Sequence, residues 1–152
     1  MTYAPPPSGL PDPDLRPDFY AGVASKRLAA WVADLAIVAA LTTLGVLLTA
    51  FIGLFFLPLI WLVMDFSYRT ITLTNRSATW GHRLMGIEFR DRTGRRFDLA
   101  QAALHTLGYT LSMSFVLPQV VSVVLMLTGA RRQSLTDIVM GSAAINRPAD
   151  GA

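Results

Sequence analysis

The stretch DLAIVAALTTLGVLLTAFIGLFFLPLIWLVMD, Asp34 to Asp65, decides the fold. Between its two aspartates lie thirty residues without a charged side chain. As one helix that run would rise about 45 Å, too long for a hydrocarbon core about 30 Å thick. It is too short for two complete crossings, which take roughly forty residues. A hairpin resolves the mismatch if both aspartates are drawn into the membrane zone. The run therefore predicts a helix over 28–48, a turn near Gly53 and a second helix over 54–73, with Pro58 kinking the second.

The rest of the chain agrees. Its 152 residues allow one domain, and only 15% of them are charged, against roughly 25% in an ordinary soluble domain. From Leu99 to Ala130 the sole acidic or basic side chain is His105. Such a chain has too little polar sequence to cover several apolar helices in water. The expected class is an all-α membrane protein: a transmembrane hairpin, an arginine-rich connector, a second apolar segment over 100–127 broken at Pro118, and a short amphipathic helix over 134–141 capped by Ser134. Residues 1–19 hold six prolines and three aspartates and predict a disordered tail. Pro5–Pro7 within it is a solvated terminus or a polyproline ligand. The membrane domain spans 20–147, and 148–152 are a disordered C-terminus. The first apolar run follows this proline-rich acidic tail rather than a short basic start, so it is expected to stay in the protein.

Residues 74–98 carry Arg76, Arg83, Arg90, Arg92, Arg95 and Arg96. Ile87–Arg90 and Arg95–Leu99 predict a short β-hairpin turning at Thr93-Gly94, with a surface loop as the alternative. On a membrane protein, Arg76, Arg90, Arg92, Arg95, Arg96, Arg131 and Arg132 suit anionic lipid headgroups better than nucleic acid. Lys26 and Arg27 precede the hairpin and the connector follows it, while the turn is uncharged. The positive-inside rule then puts the N-terminus and the connector in the cytoplasm. A single crossing at 100–127 would leave Arg131, Arg132 and Arg147 outside. A second hairpin bent near Leu117-Pro118, with arms near 21 Å, brings them back and makes both termini cytoplasmic.

Charges inside the membrane are the informative residues, because each needs a partner. Asp34 and Asp65 are equidistant from the turn and so share a depth. Arg27 lies two helical turns from Asp34, and Arg69 follows Asp65 at the favourable acid-first spacing of four. Either Arg27, Asp34, Asp65 and Arg69 form a neutral lock, or the paired acids form a proton or cation site. Asp137, in the first turn of the C-terminal helix, needs a cation of its own, and Arg27 is the expected partner. His82 and His105 lack the spacing of a metal-binding helix, and Gly81–Gly86 lacks the Lys-Ser/Thr of a phosphate loop. With no cysteine, thiolate metal sites and thiol catalysis are excluded. No catalytic residue, cofactor or metal is expected, and the chain does not read as an enzyme.

Three stretches, in order, resemble the RDD family of small membrane proteins, named for one arginine and two aspartates. Lys26-Arg27-Leu28 through Ala33-Asp34 supplies the arginine and the first aspartate. Thr79-Trp80-Gly81-His82-Arg83-Leu84-Met85-Gly86 is similar to the family's Thr-x-Gly-Lys-Arg-x-x-Gly, and Ser134 through Gly141-Ser142 carries the second aspartate, Asp137. The resemblance covers Gly22 to Arg147. It departs at His82, where lysine is usual, at His105, near a position that is often arginine, and at Ser142, in place of threonine. It implies an inner-membrane, multi-pass protein, with Thr79, Gly81, Arg83, Gly86 and Gly141 as motif residues. Transport, including cation–proton exchange, has been suggested for the family. From these residues we expect an accessory or assembly subunit that contacts membrane lipids and either other membrane subunits or further copies of itself. The alternative is an oligomeric transporter using Asp34 and Asp65.

Overall fold

A computed structural model describes residues 8–148. Helix α1, Val23–Leu48, and helix α2, Leu57–Arg76, form the hairpin, and both are long and apolar enough to cross a membrane. The turn joining them includes a 3-10 helix, Ile52–Phe56, and the left-handed residues Ala50 and Phe51. The hairpin is inverted relative to a soluble one. Ala30, Asp34, Val38, Thr42 and Val46, every fourth residue of α1, are buried, while Leu35, Leu41, Leu44 and Leu47 face outward. Small and polar side chains inside with large apolar ones outside is the pattern lipid selects. The chain is a membrane protein.

Pro58 does not kink α2. It sits in the first helical turn, where its missing N–H costs no hydrogen bond. The second apolar segment is α4, Leu99–Ser114, and α5, Val116–Thr128, bent by 115° at Phe115. The break falls two residues before the Leu117-Pro118 position expected for it. In a continuous helix the Pro118 ring would clash with the Ser114 carbonyl, so the chain turns there and Pro118 lies in the first turn of α5. At 16 and 13 residues, the arms are about 24 Å and about 20 Å long, so neither spans alone.

Helix α3, Trp80–Leu84, follows α2, and α6, Leu135–Met140, is capped by Ser134. The connector is not a β-hairpin. Strand β1, Ile87–Arg90, pairs antiparallel with β2, Ala143–Asn146, with Phe89 opposite Ala144. The Thr93-Gly94 turn does exist: the Asp91 carboxylate accepts from the backbone of Thr93 and Arg95 at 2.8 and 2.9 Å. Beyond it the chain becomes a cap rather than a strand, because Asp98 and Gln101 form a reciprocal capping box on α4.

The tail expected over 1–19 is seated from Ser8 onward. Leu10 and Tyr20 bury against Ala143 and Ile145 of β2. The Gly9 amide donates to the Arg92 carbonyl at 2.8 Å. Asn146 donates to the carbonyls of Asp18 and Ala21 at 2.7 and 2.9 Å and accepts from Lys26 at 2.6 Å. Leu10 and Tyr20 hold the segment with Pro11, Pro13 and Pro17 in place because β2 offers them an apolar surface. The expectations for Pro5–Pro7 and for 149–152 lie outside the described residues.

Candidate functional site

Two buried carboxylates organise the end of the bundle where α1 begins. Asp34 is fully buried on α1. Its Oδ1 accepts from the Tyr68 hydroxyl at 2.6 Å and from the Gly81 amide at 2.9 Å. Its Oδ2 accepts from the Thr79 hydroxyl at 2.6 Å and lies 3.5 Å from Arg69 Nη1. Gly81 is glycine for a steric reason: a Cβ there would stand 2.2 Å from the Ala30 carbonyl oxygen and 2.8 Å from Asp34 Oδ1. Without a side chain, α3 packs directly on α1 and presents its backbone amide to the acid. Thr79 caps α3, and its hydroxyl lies 2.5 Å from His82 Nδ1. A hydroxyl has one proton, and here it goes to Asp34, so the His82 ring proton sits on Nδ1. Burial, with Arg27 and Arg69 adding repulsion, holds the His82 pKa well below its ordinary value, and the ring is neutral at pH 7.

Asp137 is equally buried, on α6. Its Oδ2 takes Arg27 Nη1 at 2.5 Å together with the Ser134 amide and hydroxyl at 2.9 and 2.8 Å. Its Oδ1 faces His105 Nε2 at 2.9 Å and accepts from the Ser142 hydroxyl at 3.2 Å. Burial alone would raise its pKa, but Arg27, His105 and Ser134 together hold it well below the carboxylate range. Gly141 ends α6 in the left-handed conformation (φ 70°), which turns the chain into β2 and places Ser142 on the acid.

The expected pair of Arg27 and Asp137 is thus present, 110 residues apart in the chain. The expected four-residue lock is not formed as drawn. Arg27 shares a face with Asp34 but binds Asp137, and Arg69 takes over Asp34. Arg69 Nε also bonds Asp65 at 2.9 Å, and its guanidinium lies 4.2 Å from the centre of the Tyr109 ring. Phe89 stands between the two centres, with its ring 5.0 Å from His82, 4.6 Å from His105 and 5.3 Å from the Arg27 guanidinium.

Of the other motif residues, Arg83 stacks on Trp80 and donates to the Ala78 carbonyl, and Gly86 is left-handed with open space beside it. Of the arginines assigned to lipid headgroups, Arg76, Arg92 and Arg95 are exposed, and Arg131 and Arg132 are half-buried. Arg96 is exposed too, but it and the half-buried Arg90 converge on Glu88. This glutamate is almost wholly buried on β1, bonded to Arg90, with Arg96 at 3.5 Å and Arg147 at 3.9 Å. Sequence reasoning missed Glu88, although the signal was there: it is the chain's only glutamate, in a strand whose neighbours Ile87 and Phe89 point into the core. It also missed Tyr68, Tyr109, Ser134 and Ser142 as members of the network.

A cavity of about 760 Å³ opens beside this network, walled by α1, α2, α4, α5 and α6. Arg27, Arg69, His82 and His105 are among the residues that line it.

A model of the RDD family matches residues 21–141. The chain belongs to the RDD family. The matched range takes in Arg27, Asp34, the Thr79–Gly86 motif and Asp137, the residues on which the resemblance rests. No curated protein and no solved structure matches the chain.

Proposed function

We propose that this RDD protein is an accessory or assembly subunit of a larger complex in the cell (inner) membrane, with both termini cytoplasmic, and that it is neither an enzyme nor a transporter by itself. One observation carries the reading. Both oxygens of Asp34 and of Asp137 face at least two donor groups each, so neither carboxylate is left to exchange a cation. Buried charges satisfied in this way fix one arrangement of helices. The orientation rests on the distribution of arginines. One bent α4–α5 pair beside one hairpin is also little machinery for alternating access.

Asp65 favours a second reading. Its Oδ2 has no protein donor among the described residues, and it lines a smaller cavity of about 220 Å³ with Trp31, Arg69 and Tyr109. An oligomeric transporter would use this acid. Two measurements decide. The native mass of the complex extracted from its own membrane should show defined additional subunits. The pure protein in liposomes should show no gradient-driven proton or cation flux, and a flux abolished by Asp65→Asn would install the transporter reading instead.

A further inference from the structure

The geometry points to the 760 Å³ cavity as a binding site for one anionic phospholipid, its phosphate among the arginines and its tail between α1 and α5. The volume lies within the roughly 300–1,000 Å³ of small-molecule sites.

The wall is one-sided in charge. Arg27, Arg69 and Arg132 line it, beside the neutral His82, and no carboxylate among the described residues does. Asp34 and Asp137 sit behind their arginines and anchor them. Arg27 bonds both Asp137 and the Arg132 carbonyl through Nη1, which leaves Nε and Nη2 without a partner among the described residues. A guanidinium with free donors in a half-buried wall matches phosphate oxygens.

Much of the remaining lining is apolar and suits a tail. Leu28, Met113, Val123, Met126 and Leu127 contribute to it, together with the polar Ser112, Gln119 and Ser122, and Leu28, Val123 and Leu127 are also exposed on the outer surface. The cavity therefore borders apolar side chains that face the bilayer, where an acyl chain would continue. A soluble anion would leave these side chains uncovered. The site stands whether or not the protein works inside a larger complex.

Trp31 lines the cavity and supplies the reporter. The full chain carrying Trp61→Phe and Trp80→Phe would be reconstituted in phosphatidylcholine vesicles and titrated with brominated phosphatidic acid. Quenching of Trp31 should saturate at a low mole fraction, and unbrominated phosphatidic acid should reverse it. Arg132→Gln should raise the half-saturating fraction about tenfold, as loss of one charge-assisted bond implies. Met126→Phe, which adds bulk to the apolar lining, should abolish the saturable phase without changing the melting temperature. Equal quenching by brominated phosphatidylcholine would overturn the site. So would reversal by inorganic phosphate alone, which would mark a free-anion site, or shielding of Trp31 from both lipids by a second copy. Native mass measurement of the unsubstituted chain in detergent gives the answer without tryptophan changes: one retained phosphatidic acid supports the site, and none overturns it.

Discussion

Asp34 and Asp137 are both fully buried and both lie beside an arginine, but the company each keeps is different. Asp34 is held at 2.6–2.9 Å by a tyrosine, a threonine and a backbone amide, with Arg69 farther off at 3.5 Å. Asp137 has its arginine at 2.5 Å and a histidine at 2.9 Å. The first centre joins elements by fitting them: α3 must touch α1, and α2 must bring Tyr68. The second joins them by charge, tying the start of α1 to a helix near the other end of the chain. Geometry therefore governs one centre and electrostatics the other.

The largest expected effect comes from breaking the charged centre. Asp137→Ala strands Arg27 in a half-buried setting and should cost about 3–5 kcal/mol, the usual range for removing one member of a buried pair. Thermal melting in detergent measures it. A loss no larger than that of Asp34→Asn would erase the distinction.

Gly81→Ala tests the fitted centre without touching a charge. The new methyl would meet the Ala30 carbonyl and Asp34, so α3 must lift from α1, at about 1–3 kcal/mol for overpacking. If the melting temperature does not move, the close approach is not what holds Asp34.

Asp34→Asn should fall below both, at about 1–2 kcal/mol. The amide oxygen still accepts from Tyr68 and Gly81, and only the Thr79 and Arg69 contacts are disturbed. Asp34→Ala should cost clearly more, because three donors then lose their acceptor. Combining Asp34→Asn with Asp137→Asn sharpens the comparison further. Costs that add within about 0.5 kcal/mol would mean independent centres, and a larger coupling would mean that Phe89 and the two histidines transmit between them.

The smallest effect is on pH dependence. The His82 pKa is lower in the folded protein than in the unfolded chain, so the unfolded chain binds a proton that the folded one refuses. Stability from this group is complete above about pH 6.5 and declines as the pH falls below it. His82→Gln should flatten the melting temperature between pH 7 and 5, and an unchanged slope would locate the sensitivity elsewhere.

Much of this was legible in the sequence, for identifiable reasons. The hairpin followed from a run length that fits neither one crossing nor two. The Arg27–Asp137 pair followed from a capped helix that needed a cation at the end of the bundle where Arg27 lies. What escaped notice depended on partners distant in sequence. Ile87–Arg90 reads as a strand, but nothing nearby says that its mate is Ala143–Asn146 rather than Arg95–Leu99. Arg69 displaced Arg27 at Asp34 because side chains two turns apart share a face without having to meet. The seating of Leu10 and Tyr20 was invisible for the same reason: the surface they cover is formed by β2.

The span of the Arg27–Asp137 bond also sets an order of events during synthesis. Arg27 leaves the ribosome 110 residues ahead of its partner, an interval of roughly 5–20 seconds at ordinary elongation rates. From the completion of α2 at Arg76 until then, the first hairpin stands with an unmatched guanidinium at its edge, close to headgroups that can serve as a temporary counterion. Only when α6 and β2 emerge does the newborn chain acquire its permanent one. A nascent protein stalled anywhere before Ser134 would thus carry an exposed signal of incompleteness, readable by whatever surveys the membrane for unfinished chains.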